Sequence, residues 1–191
     1  MATGSSGSSR SPSPRRRPPE VSVLRVGHRP GRDPRLTTHL ALAARAFGAQ
    51  RMYLHPADLG LAERISAVGR RWGTGFEVVS VDDWKSVVRS FPGAVVHLTM
   101  YGLPLERCLP RLARQKRLLL VVGGAKVPPE LYRLATFNVA VGHQPHSEVA
   151  AVAVTLERLL GIPPPVRAGG APHRIVPSAR GKRVVGSGGG R

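Results

Sequence analysis

From Glu20 onward, short β-rich runs alternate with amphipathic stretches, and one of those runs, Arg117–Val122 (RLLLVV), has no polar side. A strand that is apolar on both faces needs cover on both faces. The pattern therefore predicts an α/β fold, with this segment as the central strand of a parallel sheet and crossover helices above and below.

Other elements follow from local chemistry. Val21–Val26 reads as the first strand, followed by a basic loop over Gly27–Pro34 and a helix over His39–Phe47 with Thr37 or Thr38 as its cap and Gly48 as its end. Arg51–Leu54 is a short strand. Asp58–Trp72 is a helix with Leu59, Ala62, Ile65 and Val68 inward, and Phe76–Val81 is a strand whose following helix is capped by Asp82 and runs to Phe91. Gly93–Leu98 is a strand that stops at Thr99-Met100-Tyr101-Gly102, followed by a helix over Pro104–Gln115 with a kink at Pro110. Pro128-Pro129 opens a short helix to Ala135, Phe137–Val141 is a strand, and Pro145 opens a long helix to Leu160. Arg174–Val176 and Arg183–Val185 form a closing hairpin.

The apolar content of 41% over 191 residues supports one folded domain. Residues 1–19 are almost wholly Ser, Gly, Pro and Arg and read as a disordered tail. Residues 20–165 form the domain, 166–185 a basic extension or hairpin, and 186–191 a second tail. No run approaches the ~18 apolar residues of a membrane span and no secretory signal is visible, so a cytoplasmic protein without membrane contact is expected. The single cysteine, Cys108, sits among Leu105, Leu109 and Leu112 and excludes an internal disulfide or a cysteine zinc site.

Lys and Arg number 29 against 11 Asp and Glu, a formal charge of +18. Such an excess draws a protein to a polyanion by counterion release, with RNA or DNA as the leading partner. An Arg-rich genome would explain the arginines but not the scarcity of acids.

In an open parallel sheet, ligands bind beyond the carboxyl ends of the strands. Three loops there contain glycine, which lets backbone amides approach a ligand: His97–Gly102, Val122–Val127 and Val141–Glu148 (VGHQPHSE). Neither GxGxxG nor GxxxxGK[ST] occurs, which disfavours conventional NAD binding and phosphate-loop chemistry. Lys126 in GGAK has the wrong spacing for a phosphate-loop lysine, and a surface lysine at a helix start is an equal reading. His143 and His146 are candidates for metal, but Pro145 puts them on either side of a helix start, so they do not share the i, i+4 face of a helical zinc pair. No metal is expected. A ligand pocket at a helix N-terminus suits them better. Arg29, Arg32 and Arg35 in the first basic loop have the planar fork that grips phosphate and stacks on bases.

These segments together resemble a known family. LRVGHRPGRDPRLTTHLALAARAFGA (24–49), VVHLTMYGL (95–103), VVGGAKVPPELYRLA (121–135), NVAVGHQPHSEVAAVAVTLERLL (138–160) and IVPSARGKRVV (175–185) are similar to the archaeal tRNA (cytidine-2′-O-)-methyltransferases. Those enzymes belong to the SPOUT, or α/β-knot, superfamily and modify the T-loop cytidine at tRNA position 56. The resemblance implies a C-terminal deep trefoil knot, a homodimer, a tRNA substrate and S-adenosylmethionine as methyl donor. Carried over by motif, the cofactor pocket falls on Leu98, on Gly123, Gly124, Ala125, Lys126 and Val127, and on Val141, Gly142, His143, Gln144, Pro145, His146, Ser147 and Glu148. Two departures stand out. Ala125 replaces the family's glutamate in Gly-Ala-Glu-Lys, and His143 replaces an asparagine.

For ribose methylation, the hydroxyl is the poor partner, so catalysis rests on positioning and on handling its proton. Arg29 and Arg35, from the partner subunit, are the expected groups beside the hydroxyl and its phosphate, with His146, Ser147 and Glu148 orienting the methyl donor or the ribose. A knotted RNA-binding protein weakened in catalysis by Ala125, and an enzyme of this superfamily with another RNA target, are the alternative readings.

Overall fold

The computed structural model describes residues 17–73, 75–124, 127–162 and 172–186. In chain order the elements are β1 (Glu20–Val26), α1 (Pro34–Ala46), β2 (Arg51–Leu54), α2 (Leu59–Arg71), β3 (Glu77–Ser80), α3 (Trp84–Ser90), β4 (Ala94–Pro104) and α4 (Leu105–Leu112). They continue with β5 (Arg117–Gly123), α5 (Pro129–Leu134), β6 (Phe137–Ala140), α6 (Glu148–Leu160), β7 (His173–Ile175) and β8 (Val184–Gly186). The first six strands form one parallel sheet in the order β3-β2-β1-β5-β4-β6, while β7 and β8 pair antiparallel.

β5 is central, as its apolar run requires. Leu118, Leu120 and Val122 face one core with Leu40, Ile65, Leu105 and Leu156; Leu119 and Val121 face the other with Trp84, Val88 and Leu131. Each fully buried leucine contributes about 1.5–3 kcal/mol relative to exposure, so this strand anchors both layers. Cys108 is buried beside Leu105 and Leu112. Among the described residues no helix is long and apolar enough to cross a membrane.

Several boundaries differ from the sequence expectation. α1 begins at Pro34, because proline is pre-set for the first helical position and Asp33 precedes it. Thr37 and Thr38 are thus inside the helix: Thr37 Oγ1 is 2.9 Å from His28 Nδ1, and Thr38 Oγ1 donates to the Pro34 carbonyl at 2.7 Å. Leu59, expected inward, is 78% exposed at the first position of α2, where Leu61 turns into the core instead. Asp83, not Asp82, caps α3 by accepting from the Lys85 amide at 2.8 Å. α6 starts at Glu148 rather than at Pro145, because the Ser147 hydroxyl caps the Val149 amide.

The most consequential difference is in β4, which runs on through Thr99–Gly102 to Pro104. It pairs with β6 up to Leu98, bulges, and resumes at Leu103 opposite Val139. Gly102 makes this possible, since a Cβ there would lie 2.4 Å from the Val139 nitrogen.

Candidate active site

The carboxyl ends of β4, β5 and β6 enclose a cleft of about 250 Å³. The three loops that sequence reasoning singled out meet there. Leu98, Gly123, Gly124, Val127, Val141, Gln144, His146 and Glu148 line it. Gly142, His143, Pro145 and Ser147 are in the same loop but not in the wall. Ala125 and Lys126 lie outside the described residues.

The loop residues behind the wall have structural tasks. His143 Nδ1 is 2.8 Å from the Met100 carbonyl, and since a carbonyl only accepts, that nitrogen carries the proton and fastens the β6 loop to the end of β4. Ser147 is the helix cap. Among the described residues no three His, Cys, Asp or Glu side chains converge as a metal site would require. His146 Nδ1 likewise faces the Ser147 carbonyl, at 3.2 Å, which leaves its Nε2 as a bare acceptor.

Two clusters at or beside the cleft bring in residues that the sequence did not single out, Tyr132 and Arg25. His97, Thr99 and Tyr132 form a connected cluster: His97 and Tyr132 meet edge to face at 4.6 Å, and the Tyr132 hydroxyl is 3.0 Å from Thr99 Oγ1. The loop after β4 was an evident candidate, but its strand was expected to end before Thr99, and nothing local signals that α5 delivers Tyr132 to the same place.

The second group is ionic. Arg25, on β1 and 1% exposed, is ion-paired with Glu148 and lies 3.7 Å from Asp33. Asp33 in turn takes both Nε and an Nη of Arg29 at 2.9 Å. That grip explains why Asp33 makes no side-chain cap to α1. The hydrogen bond that Arg29 donates to Asp33 raises the pKa of Arg29 above its ordinary value, and the same bond lowers that of Asp33. Arg29 is therefore a cation held in place by Asp33 of its own chain. Arg35 is exposed on the first turn of α1.

The basic loop is itself pinned by His28, which is buried between Thr37 and Asp58 Oδ2, the latter 3.3 Å from its Nε2. Asp58 has a lowered pKa, first because it accepts the Leu61 amide and also because of His28.

The fold is that of the SpoU/TrmH methyltransferases. The TrmH/SpoU tRNA modifying enzyme of A. aeolicus superposes with a TM-score of 0.57 at 14% identity, covering 73% of each chain. The SpoU methyltransferase AviRb from Streptomyces viridochromogenes, in complex with AdoMet, gives 0.55 at 18% identity over 75% of this chain and 57% of its own. Sequence narrows the class: the profile of the family described as tRNA ribose 2′-O-methyltransferase, aTrm56, matches residues 72–185. A tRNA (cytidine(56)-2′-O)-methyltransferase of Archaeoglobus fulgidus is 50% identical over 166 residues, 87% of this chain and 98% of that protein. The chain belongs to the aTrm56 family of tRNA ribose 2′-O-methyltransferases.

Proposed function

We propose that this chain methylates the 2′-oxygen of cytidine 56 in the T-loop of tRNA, with S-adenosylmethionine as donor. The observation that carries the reading is identity of 50% along 98% of a protein named for that reaction. The proposal includes the superfamily's deep trefoil knot, a homodimer and a cytoplasmic setting.

The cleft suits such a donor. Gly124 offers open space, since an added Cβ would meet nothing within 4 Å among the described residues, so its backbone is approachable. His97 lines the wall, and its Nε2 is buried without a hydrogen-bond partner among the described residues. Leu98, Gly123, Gly124, Val127, Val141 and Gln144 would hold the molecule. Bound there, it supplies a methyl group on a sulfonium sulfur, which the ribose oxygen takes as the carbon–sulfur bond breaks and sulfur keeps the electron pair.

The chain's own part is positioning, charge and the proton. Arg29, contributed by the partner subunit of the proposed homodimer and oriented by its own Asp33, stabilises the oxygen as negative charge develops and holds the adjacent phosphate; a guanidinium stays protonated and is not the proton acceptor. His146 Nε2, exposed at the cleft, takes the hydroxyl proton and passes it to water. Glu148 is engaged by Arg25, so it sets the first turn of α6 rather than gripping the ribose.

The test is incubation of labelled S-adenosylmethionine with unmodified tRNA transcripts, one carrying a replaced T-loop cytidine. Label in the normal transcript alone is expected. Label in both redirects the target, and label in neither removes the enzymatic reading.

A further inference from the structure

His97 is a buried base whose tautomer the structure fixes. Its ring is 1% exposed, and Nδ1 lies 2.9 Å from Asn138 Oδ1. The Asn138 amide nitrogen donates to the Tyr132 carbonyl at 2.9 Å, so the amide can present only its oxygen to the imidazole. The proton is therefore on Nδ1. Nε2 is left with a lone pair and no donor among the described residues. Burial pushes the pKa of His97 down, so protonation does not relieve it.

A buried acceptor without a partner is costly, and this one belongs to a residue in the wall of the cleft. The cleft divides by chemistry. Around His97 stand Tyr132 and Thr99, whose hydroxyls are bonded to each other, and neither makes a hydrogen bond to Nε2. Elsewhere in the wall are the polar side chains of Gln144 and His146 and the carboxylate of Glu148, which Arg25 engages. A neutral, planar N–H donor fits beside a neutral imidazole and an aromatic ring. An ammonium would lack a counter-charge there.

We propose that Nε2 of His97 accepts a hydrogen bond from the exocyclic amine of the donor's adenine, with Asn138 and Tyr132 holding the ring for that contact. The proposal rests on the assignment of S-adenosylmethionine to this cleft. It makes His97 a reader of the base: a purine with hydrogen in place of the amine leaves the acceptor unmet, and one with a 6-oxo group places two acceptors together.

The test is calorimetric titration of the full chain with S-adenosylhomocysteine and with its analogue carrying hydrogen at purine carbon 6. Wild type is expected to bind the analogue about tenfold more weakly, the scale of one net hydrogen bond. His97→Phe, checked for folding by circular dichroism, is expected to bind both equally at a weakened level, and His97→Gln, whose amide oxygen can accept, to regain part of the preference. Equal binding of the two ligands by wild type overturns the contact without needing any variant, as does a preference that persists in His97→Phe. If wild type binds neither ligand, the cofactor assignment itself falls, and the inference with it.

Discussion

Arg25 and Glu148 are 123 positions apart in the chain, yet they form an ion pair at the carboxyl edge of the sheet. The pair ties β1, which leads into the basic loop, to the first turn of α6, whose amino end favours a carboxylate. Breaking a buried pair by removing one partner costs about 3–5 kcal/mol, because the other charge is left without compensation. Glu148→Ala, which leaves an arginine only 1% exposed with Asp33 at 3.7 Å as its remaining carboxylate, is expected to cost more than Arg25→Met, which leaves a carboxylate 18% exposed. Thermal melts of both single variants and the double variant check this. The double variant should be markedly more stable than the sum of the singles predicts, and simple additivity would show that the pair is not coupled.

The tether on Arg29 separates two arginines that the sequence leaves equivalent. Arg29 is held by Asp33 within the network that reaches Glu148, whereas Arg35 is exposed on α1. Arg29→Ala is expected to lower methyl transfer at saturating substrate by roughly 10²–10³-fold, the scale of one lost oxyanion donor, with donor affinity nearly unchanged. Asp33→Asn should act in the same direction but less strongly, because the guanidinium remains and only its placement is lost. Single-turnover transfer rates and donor titration decide it; an unchanged rate in Arg29→Ala would remove this residue from the mechanism.

The sheet was legible because burial on two faces leaves a mark that needs no partner to read. RLLLVV is apolar whichever way it turns, and it is the central strand. The three glycine-bearing strand ends were legible for a similar reason, since topology alone assigns ligands to that edge. Arg25 was not. A lone arginine in VSVLRV looks like the solvent side of a strand, and what buries it is a carboxylate supplied from α6. Tyr132 was hidden likewise, because its place beside His97 depends on where α5 crosses. The extension of β4 past Leu98 depends on Gly102 meeting the backbone of β6, a contact with no counterpart in local propensity.

Acid should weaken the fold in two stages. Burial lowers the pKa of both His97 and His55, so the unfolded chain takes protons there before the folded one does. Stability is then constant in these terms above the unfolded histidine value of about 6.5 and declines as the pH falls below it. Asp33, Asp58 and Glu130 also have lowered values, through the Arg29 bond, the Leu61 amide and the Lys85 bond respectively. Their contribution is present above about pH 4 and is lost only below it. Urea melts at pH 8, 5.5 and 3.5 should show both losses, and replacing His55 and His97 by Gln should shrink the first while leaving the second. A first stage unaltered by those replacements would assign it to other groups.

Gly102 is the position where a single added carbon should undo the edge of the site. Its neighbours are backbone, with the Val139 nitrogen 2.4 Å and the Asn138 carbonyl carbon 2.5 Å from where a Cβ would sit, so no side-chain rotation relieves the clash. Either β4 moves away from β6 or the bulge between Leu98 and Leu103 is lost. Overpacking of this kind costs ~1–3 kcal/mol. Displacement of β6 also shifts Asn138, which fixes the His97 ring, and the loop carrying Gln144 and His146. Gly102→Ala should therefore lower the melting temperature and weaken S-adenosylhomocysteine binding together. Gly124→Ala, where a Cβ meets nothing within 4 Å among the described residues, should leave the melting temperature unchanged and impair binding alone. The contrast separates a glycine needed by the strands from one needed by the ligand, and equal melting losses in the two variants would contradict it.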